Sequence, residues 1–191
     1  MGKLKLSLSA AAVAAVMTSA GSASAAVITI PYMSIVTLYF DGGDAAFHEA
    51  LKVSVNGGSP IATTFDNKTT PLGTPFSLGA LAAGATLTFL DHVYNTGLTW
   101  SSNDAANSDG ISHVAVTPGV TSPYFSGTGS YVGFEDQKGG GDKDFNDIQA
   151  LVTFTPVPEL STWGMLVAGF GGLGYAAFRR SRKNSLSFVG A

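Results

Sequence analysis

An acidic stretch near the C-terminal end of the chain carries the residues best suited to chemistry. Residues 135–147 contain five carboxylates and two carboxamides, and three consecutive glycines interrupt them. Asp142, Asp144 and Asn146 place oxygen atoms at alternate positions, so a tight loop can direct them to one point. Glycines 139–141 can adopt the positive φ angles that such a loop needs. The pattern indicates a binding site for a hard cation.

We expect one calcium ion here, because calcium takes six to eight oxygen ligands. The expected ligands are Asp142, Asp144, Asn146, Asp147, Glu135 and Asp136. The loop is not an EF-hand, which needs glycine at its sixth position and glutamate at its twelfth, where this chain has Asp147 and Thr153.

Two other interpretations of the loop stay open. The acids and asparagine can make Asx-turns in a solvated connection between strands. Alternatively, Glu135 or Asp136 can face Asp144 as a glycosidase-like carboxylate pair, which depends on a separation that the sequence does not give.

Short apolar runs and turn residues predict that strands position this loop. The runs are rich in β-branched and aromatic residues, and Gly, Asn, Asp and Pro separate them. A brief helical turn is predicted only at 44–50. We predict an all-β fold for residues 26–156, an antiparallel β-sandwich of jelly-roll or immunoglobulin type. The predicted strands are 27–40, 51–55, 61–65, 85–93, 111–116, 130–134 and 148–155.

The charge of the middle segment excludes one class of partner. Six of the ten basic residues lie near the two ends, so residues 26–157 keep four lysines against twelve acidic residues. Such a segment repels nucleic acid and favours cations. The chain has no cysteine, which excludes disulfides, a thiolate nucleophile and a Cys-based zinc site.

The N-terminal residues predict export. Lys3 and Lys5 precede an apolar run, and Ala23, Ser24 and Ala25 supply the small residues that signal peptidase accepts. We therefore expect residues 1–25 to be a signal peptide. A buried amphipathic helix is the alternative, but the run has no polar face.

The C-terminal residues predict a membrane anchor. Residues 160–178 carry no charge and, as a helix, would be about 28 Å long, close to the thickness of the hydrocarbon core. The basic residues at 179–183 follow directly and would remain in the cytoplasm. A transmembrane helix is expected at 160–178, with 184–191 as a tail.

The same segment resembles the PEP-CTERM sorting signal of Gram-negative bacteria, in its tryptophan-containing variant. The resemblance rests on Val157, Pro158, Glu159, Trp163, glycine-rich residues 169–172, and the basic tail that begins at Arg179 and Arg180. Leu160 replaces the second proline of the family pattern, and Gly164 replaces the usual alanine of the variant. The resemblance implies that an exosortase, a membrane cysteine protease, removes the tail and sends the protein outward.

Part of the middle segment also resembles an uncharacterised domain of PEP-CTERM and other bacterial surface proteins. The likeness is carried by the Phe134-Glu135-Asp136 block, the 142–147 block and the polar stretch around Asn107 and Asp109. Calcium binding has been suggested for that domain, which adds Asn107 and Asp109 as secondary ligand candidates. We interpret His113 first as a partly buried strand residue and only second as a ligand, because calcium prefers oxygen.

These observations predict an exported protein of the cell surface or extracellular matrix, sorted by exosortase and without enzymatic activity. We expect a calcium-stabilised structural or adhesion module, with exopolysaccharide as a possible partner. The alternative is a secreted carbohydrate-active enzyme that uses the carboxylates of residues 135–147.

Overall fold

The structure consists of two antiparallel β-sheets and a C-terminal helix. It is a computed structural model that describes residues 26–158 and 160–185. The predicted signal peptide lies outside the described residues, as do Glu159 and residues 186–191. The elements are β1 (Ile28–Thr29), β2 (Ser34–Gly42), β3 (Glu49–Val55), β4 (Ile61–Asp66), β5 (Pro75–Leu81), β6 (Thr86–Val93), β7 (Leu98–Ser101), a 3₁₀ turn (Asp104–Ala106), β8 (Val114–Ser122), β9 (Phe125–Phe134), β10 (Ile148–Pro156) and α1 (Leu160–Ser185).

The first sheet has the order β1-β6-β3-β4, and β7 also pairs with β6. Burial alternates strictly along β6, as expected for a strand with one face toward the core. Its buried residues are Leu87, Phe89, Asp91 and Val93. Because Glu49 pairs with Val93 and Leu51 pairs with Asp91, Glu49 lies on the same inward face as Asp91.

The second sheet has the order β5-β2-β10-β9-β8. Its central strand, β10, pairs with β2 on one side and with β9 on the other. Phe40 lies opposite Ala150, so the sheet joins an early segment of the chain to a late one. Ile148 pairs with Phe134, which brings the two ends of the acidic loop together.

The two sheets bury a common apolar core. Phe40 of β2 contacts Phe65 of β4 at a ring distance of 5.6 Å, and Phe65 also meets Phe76 of β5. These contacts cross from one sheet to the other. Burial of each large side chain contributes about 1.5–3 kcal/mol. The predicted β-sandwich architecture is confirmed.

Some of the strand predictions need correction. β5 and β7 were not predicted, and the predicted strand at 27–40 is two strands, interrupted at Pro31, which has no N–H for a ladder. The predicted helical turn at 44–50 is wrong. That segment contains two bends and then enters β3, because Glu49 and Ala50 pair with β6.

Helix α1 begins at Leu160, as the sequence predicts, but it carries mostly exposed apolar residues. Its described side chains, 162–182, are all exposed, and Arg182 stacks on the ring of Phe178 at 5.0 Å. In the part of the chain that the structure describes, no helix is long and apolar enough to cross a membrane. The transmembrane helix predicted at 160–178 is therefore not found among the described residues. Five glycines, together with Ser161 and Thr162, lower the hydropathy of a segment that is otherwise long enough.

Candidate functional site: an acidic end of the sandwich

The acidic loop connects β9 to β10 and is held against the sheet by hydrogen bonds. The amide of Asp147 donates to the carbonyl of Phe134 at 3.0 Å, which closes the base of the loop. Further along, the Tyr131 hydroxyl donates to the carbonyl of Phe145 at 2.7 Å. On its other side, the amide of Asp44 donates to the carbonyl of Asn146 at 2.9 Å. The loop is therefore fixed both to β9 and to the segment that follows β2.

Three of the predicted ligands converge on one point. Glu135, Asp142 and Asp144 each offer a carboxylate oxygen, and these atoms lie within 4.8 Å of one another. Glu135 is 1% exposed, whereas Asp142 and Asp144 face solvent. One buried and two exposed carboxylates form an open cluster that a hydrated ion can reach.

Glycine shapes the loop around Glu135. A Cβ atom on Gly141 would stand 2.0 Å from the Glu135 Oε2, and the φ angle of Gly141 is +45°. Only glycine permits both the left-handed conformation and the close approach of a carboxylate. The backbone amide of Phe145 also donates to the Glu135 Oε1 at 2.8 Å. The buried carboxylate is thus held in place by its own loop.

The electrostatics of the cluster favour a cation. Burial raises the pKa of Glu135, and Asp142 raises it further, while the amides of residues 143–145 partly offset these effects. Burial also raises the pKa of Asp147 to about 6, an effect that the Asp136 amide reduces and nearby carboxylates increase. The pKa of Tyr131 is raised to about 12 by burial and then by Asp41 and Asp144. Burial is the largest cause of each of these pKa shifts, nearby carboxylates add to it, and no positively charged group is among the causes.

The other predicted ligands of the loop lie elsewhere. The Asn146 side-chain amide donates to a carboxylate oxygen of Asp144 at 2.5 Å, so Asn146 lies beside the cluster. Asp147 accepts a hydrogen bond from the Asp136 amide at 2.8 Å. The Asp136 side chain approaches Glu49 of β3 rather than the exposed loop. Asp136 is buried, at 2% exposure.

The secondary candidates belong to a neighbouring hydrogen-bonded turn. The Asn107 side chain bonds to the backbone of Ser101 and Ile111, which fixes the turn after β7. Asp109 accepts from the Gly139 amide at 2.9 Å and faces the His113 Nε2 at 3.0 Å. Their polar atoms are therefore already engaged.

His113 and Trp100 link this turn to the loop. The fully buried ring of His113 stacks on Trp100 with centroids 3.7 Å apart and an interplanar angle of 6°. Its Nδ1 faces the Glu135 carbonyl at 3.1 Å. The Trp100 indole donates to the Asp136 carbonyl at 2.7 Å. Two buried rings therefore set the backbone position of the two acids that begin the loop.

Two buried acids were missed by the sequence analysis. Glu49 and Asp91 are each 0% exposed and lie beside Asp136, on the inward face of the first sheet. The sequence pattern could have identified Asp91, because it occupies an inward position in the alternating series Leu87, Phe89 and Val93. An acid at such a position indicates a buried polar site.

Together the fold and the site define an all-β sandwich with an acidic end. Residues 77–155 match a domain of unknown function (DUF4114), which extends from within β5 into β10 and includes the acidic loop. No curated protein matches the chain. Among solved structures, the chain is similar to the high-affinity mannose-binding lectin of Ralstonia solanacearum. The two share 19% identity over 69% of this chain and 96% of that chain, with a TM-score of 0.42. This likeness is too distant to carry an argument.

Proposed function

We propose that this protein is an exported, calcium-stabilised surface module without enzymatic activity. One observation carries the proposal: the carboxylate oxygens of Glu135, Asp142 and Asp144 converge within 4.8 Å at the end of the sandwich. Calcium binds hard oxygen ligands at 2.3–2.6 Å, so one ion at the centre of such a group contacts all three carboxylates.

The geometry supports coordination over glycoside hydrolysis, the alternative activity for this loop. A hydrolase places two carboxyl groups on either side of a substrate, with the acid and the second carboxylate about 5–9.5 Å apart. Here the oxygens face a common centre, and the Glu135 Oε1 is already bonded to the Phe145 amide. The hydrogen bond from the Phe145 amide fixes the orientation of the Glu135 carboxylate, which suits the binding of one ion at a fixed position.

The experiment is a thermal melt of the full chain with and without calcium. Extracellular calcium modules bind with a Kd of about 10⁻⁴–10⁻³ M. At ten times the Kd, binding to the native state alone adds about 1.4 kcal/mol. For a domain of this size, we expect the melting temperature to rise by roughly 3–8 °C. Magnesium should raise it much less, because it requires a smaller octahedral shell.

A matched pair of substitutions assigns the shift to the loop. Asp144→Asn removes one charge from the cluster and should reduce the calcium-dependent rise. Asp66→Asn is the control, because Asp66 lies at the end of β4 and pairs with His48, outside the acidic loop. If millimolar calcium does not move the melting curve of the wild-type chain, the loop is a solvated turn.

We also propose export through a signal peptide at 1–25 and exosortase sorting through the C-terminal segment. In α1, Trp163 is 58% exposed and Phe170 is 68% exposed. This exposed apolar face supports the proposal that another protein recognises the segment. In an exosortase-bearing Gram-negative host, the mature protein should lack residues 1–25 and 179–183. Intact-mass analysis of extracellular material checks this, and a retained basic tail contradicts exosortase processing.

A further inference from the structure

The inward face of the sandwich carries a second group of acids that the proposed loop site does not use. Glu49 and Asp91 come from neighbouring strands of the first sheet. Asp136 and Asp147 belong to the two ends of the acidic loop, where Asp136 follows β9 and Asp147 precedes β10. The group therefore joins the inward face of the first sheet to the base of the loop.

The carboxylates of Glu49 and Asp91 have no hydrogen-bond partners, whereas Asp147 accepts from the Asp136 amide. Among the described residues, six buried side-chain oxygen atoms lack a hydrogen-bond partner, and five of them belong to Glu49, Asp91 and Asp136. These three residues are 0%, 0% and 2% exposed. A buried carboxylate without a partner is strongly destabilising, so native proteins pair such groups or bind a metal with them.

Among the described residues, no positively charged group acts on Glu49 or Asp91. Burial raises the pKa of Glu49 well above its usual range, and Asp91, Asp136 and Asp147 raise it further. Burial likewise raises the pKa of Asp91, followed by Asp136 and Asp147. All the charged neighbours that act on these two residues are acids. His48, next to Glu49 in sequence, pairs instead with Asp66.

We propose that Glu49, Asp91, Asp136 and Asp147 bind a second calcium ion, buried between the two sheets. The ligands are all carboxylates, which suit a hard divalent cation. Their arrangement differs from that of the loop site, because β3 and β6 contribute ligands as well as the two ends of the loop. Among the described residues only the oxygens of the loop site lie within 4.8 Å of one another, so the buried carboxylates would close around the ion when it binds. Glu135 and Asp136 are consecutive residues, so adjacent side chains would provide one ligand to each of the two ions. The inference stands on the orphaned carboxylates and does not require an ion in the loop.

The test is to count calcium ions on the full chain by native mass spectrometry in millimolar calcium. We expect two ions on the wild type and one on the double variant Glu49→Gln/Asp91→Asn, which keeps the shape of both side chains. The variant Asp142→Asn/Asp144→Asn should also lose one ion, and it reports on the loop alone. Asp66→Asn should keep both ions.

The outcomes separate the two sites. If only the Glu49/Asp91 variant loses an ion, the buried site stands and the loop site is wrong. If that variant binds as many ions as the wild type, the buried acids share protons instead and this inference is overturned.

A second measurement, of terbium luminescence, tests the buried site without substituting any of its acids. Terbium, a luminescent ion with calcium's preference for oxygen, emits when a nearby excited tryptophan transfers energy to it. The Trp100 indole lies against Asp136, with its Nε1 2.7 Å from the Asp136 carbonyl. In the Asp142→Asn/Asp144→Asn variant, we expect sensitised emission that is lost on Trp100→Phe and kept on Trp163→Phe. Absence of sensitised emission from that loop variant would also overturn the inference.

Discussion

At the scale of single residues, Gly141 controls the shape of the loop site. Its Cβ position lies 2.0 Å from the Glu135 Oε2, so Gly141→Ala must displace the carboxylate. We expect a lower calcium affinity, measured by titration calorimetry, because one ligand leaves its position. The left-handed φ of +45° adds a backbone cost of about 1–2 kcal/mol to the folded state.

Gly139→Ala separates these two effects. Gly139 also has a positive φ, +89°, but a Cβ there meets nothing within 4 Å. This variant should lose stability through its backbone while it keeps the calcium affinity of the wild type. Equal losses of affinity in both variants would show that the loop binds no ion through Glu135.

Asp109 should make stability depend on pH. Burial opposes its ionisation, but hydrogen bonds from the Gly139 amide, His113 and the Ile111 amide outweigh this effect and lower its pKa from 3.8 to about 2. A pKa that is lower in the folded state stabilises the fold above the unfolded value. The contribution of Asp109 should therefore be present above pH 4 and disappear as the pH falls toward 2.

The measurement for Asp109 is urea unfolding of the wild type and Asp109→Asn across this pH range, without calcium. We expect the difference in the free energy of unfolding to be largest near pH 5 and to shrink as the pH falls. A difference that stays constant from pH 5 to pH 2 would show that the Asp109 charge is not stabilising.

At the scale of secondary-structure elements, Trp100 joins the two sheets. It lies on β7 of the first sheet, and its indole donates to the Asp136 carbonyl beyond the end of β9. Trp100→Phe leaves that buried carbonyl without its donor, which costs about 1–3 kcal/mol in addition to lost packing. Urea unfolding measures the loss. Trp163→Phe, on the exposed helix, should change stability by less than about 0.5 kcal/mol.

The strands that the sequence predicted are those with a strong apolar pattern. β6 and β10 combine alternation with β-branched and aromatic residues, and both were predicted close to their true bounds. β5 contains Pro75, Gly79 and Ala80, and β7 has only four residues, so neither carries enough pattern to be recognised. Their pairing with β2 and β6 stabilises them instead.

The same difference between local and long-range information applies to the acidic end. Glu135, Asp142 and Asp144 are close in sequence, so their spacing was enough to group them. Glu49 and Asp91 join Asp136 only through the packing of two sheets, which short-range patterns do not contain. The transmembrane prediction rested on the absence of charge at 160–178, and it gave less weight to the low hydropathy that the glycines bring.

At the scale of the whole molecule, α1 should be dispensable for the stability of the sandwich. Its described side chains are exposed, and the residues of both acidic groups lie within 26–158. A chain that ends after Pro158 should keep the melting temperature and the calcium-dependent shift of the full chain within about 1 °C, as a change below ~0.3 kcal/mol implies. A much lower melting temperature would show that α1 packs against the sheets.

The position of β10 in its sheet also determines when the protein can fold. β10 is the last strand of the described residues, yet it lies between β2 and β9 and pairs with both. Until residue 156 has left the ribosome, β2 has no partner on that side and the acidic loop has no second anchor. Pairing at such long sequence separation folds slowly. Nascent and newly released chains should therefore remain open for longer than those of a sandwich built from neighbouring hairpins.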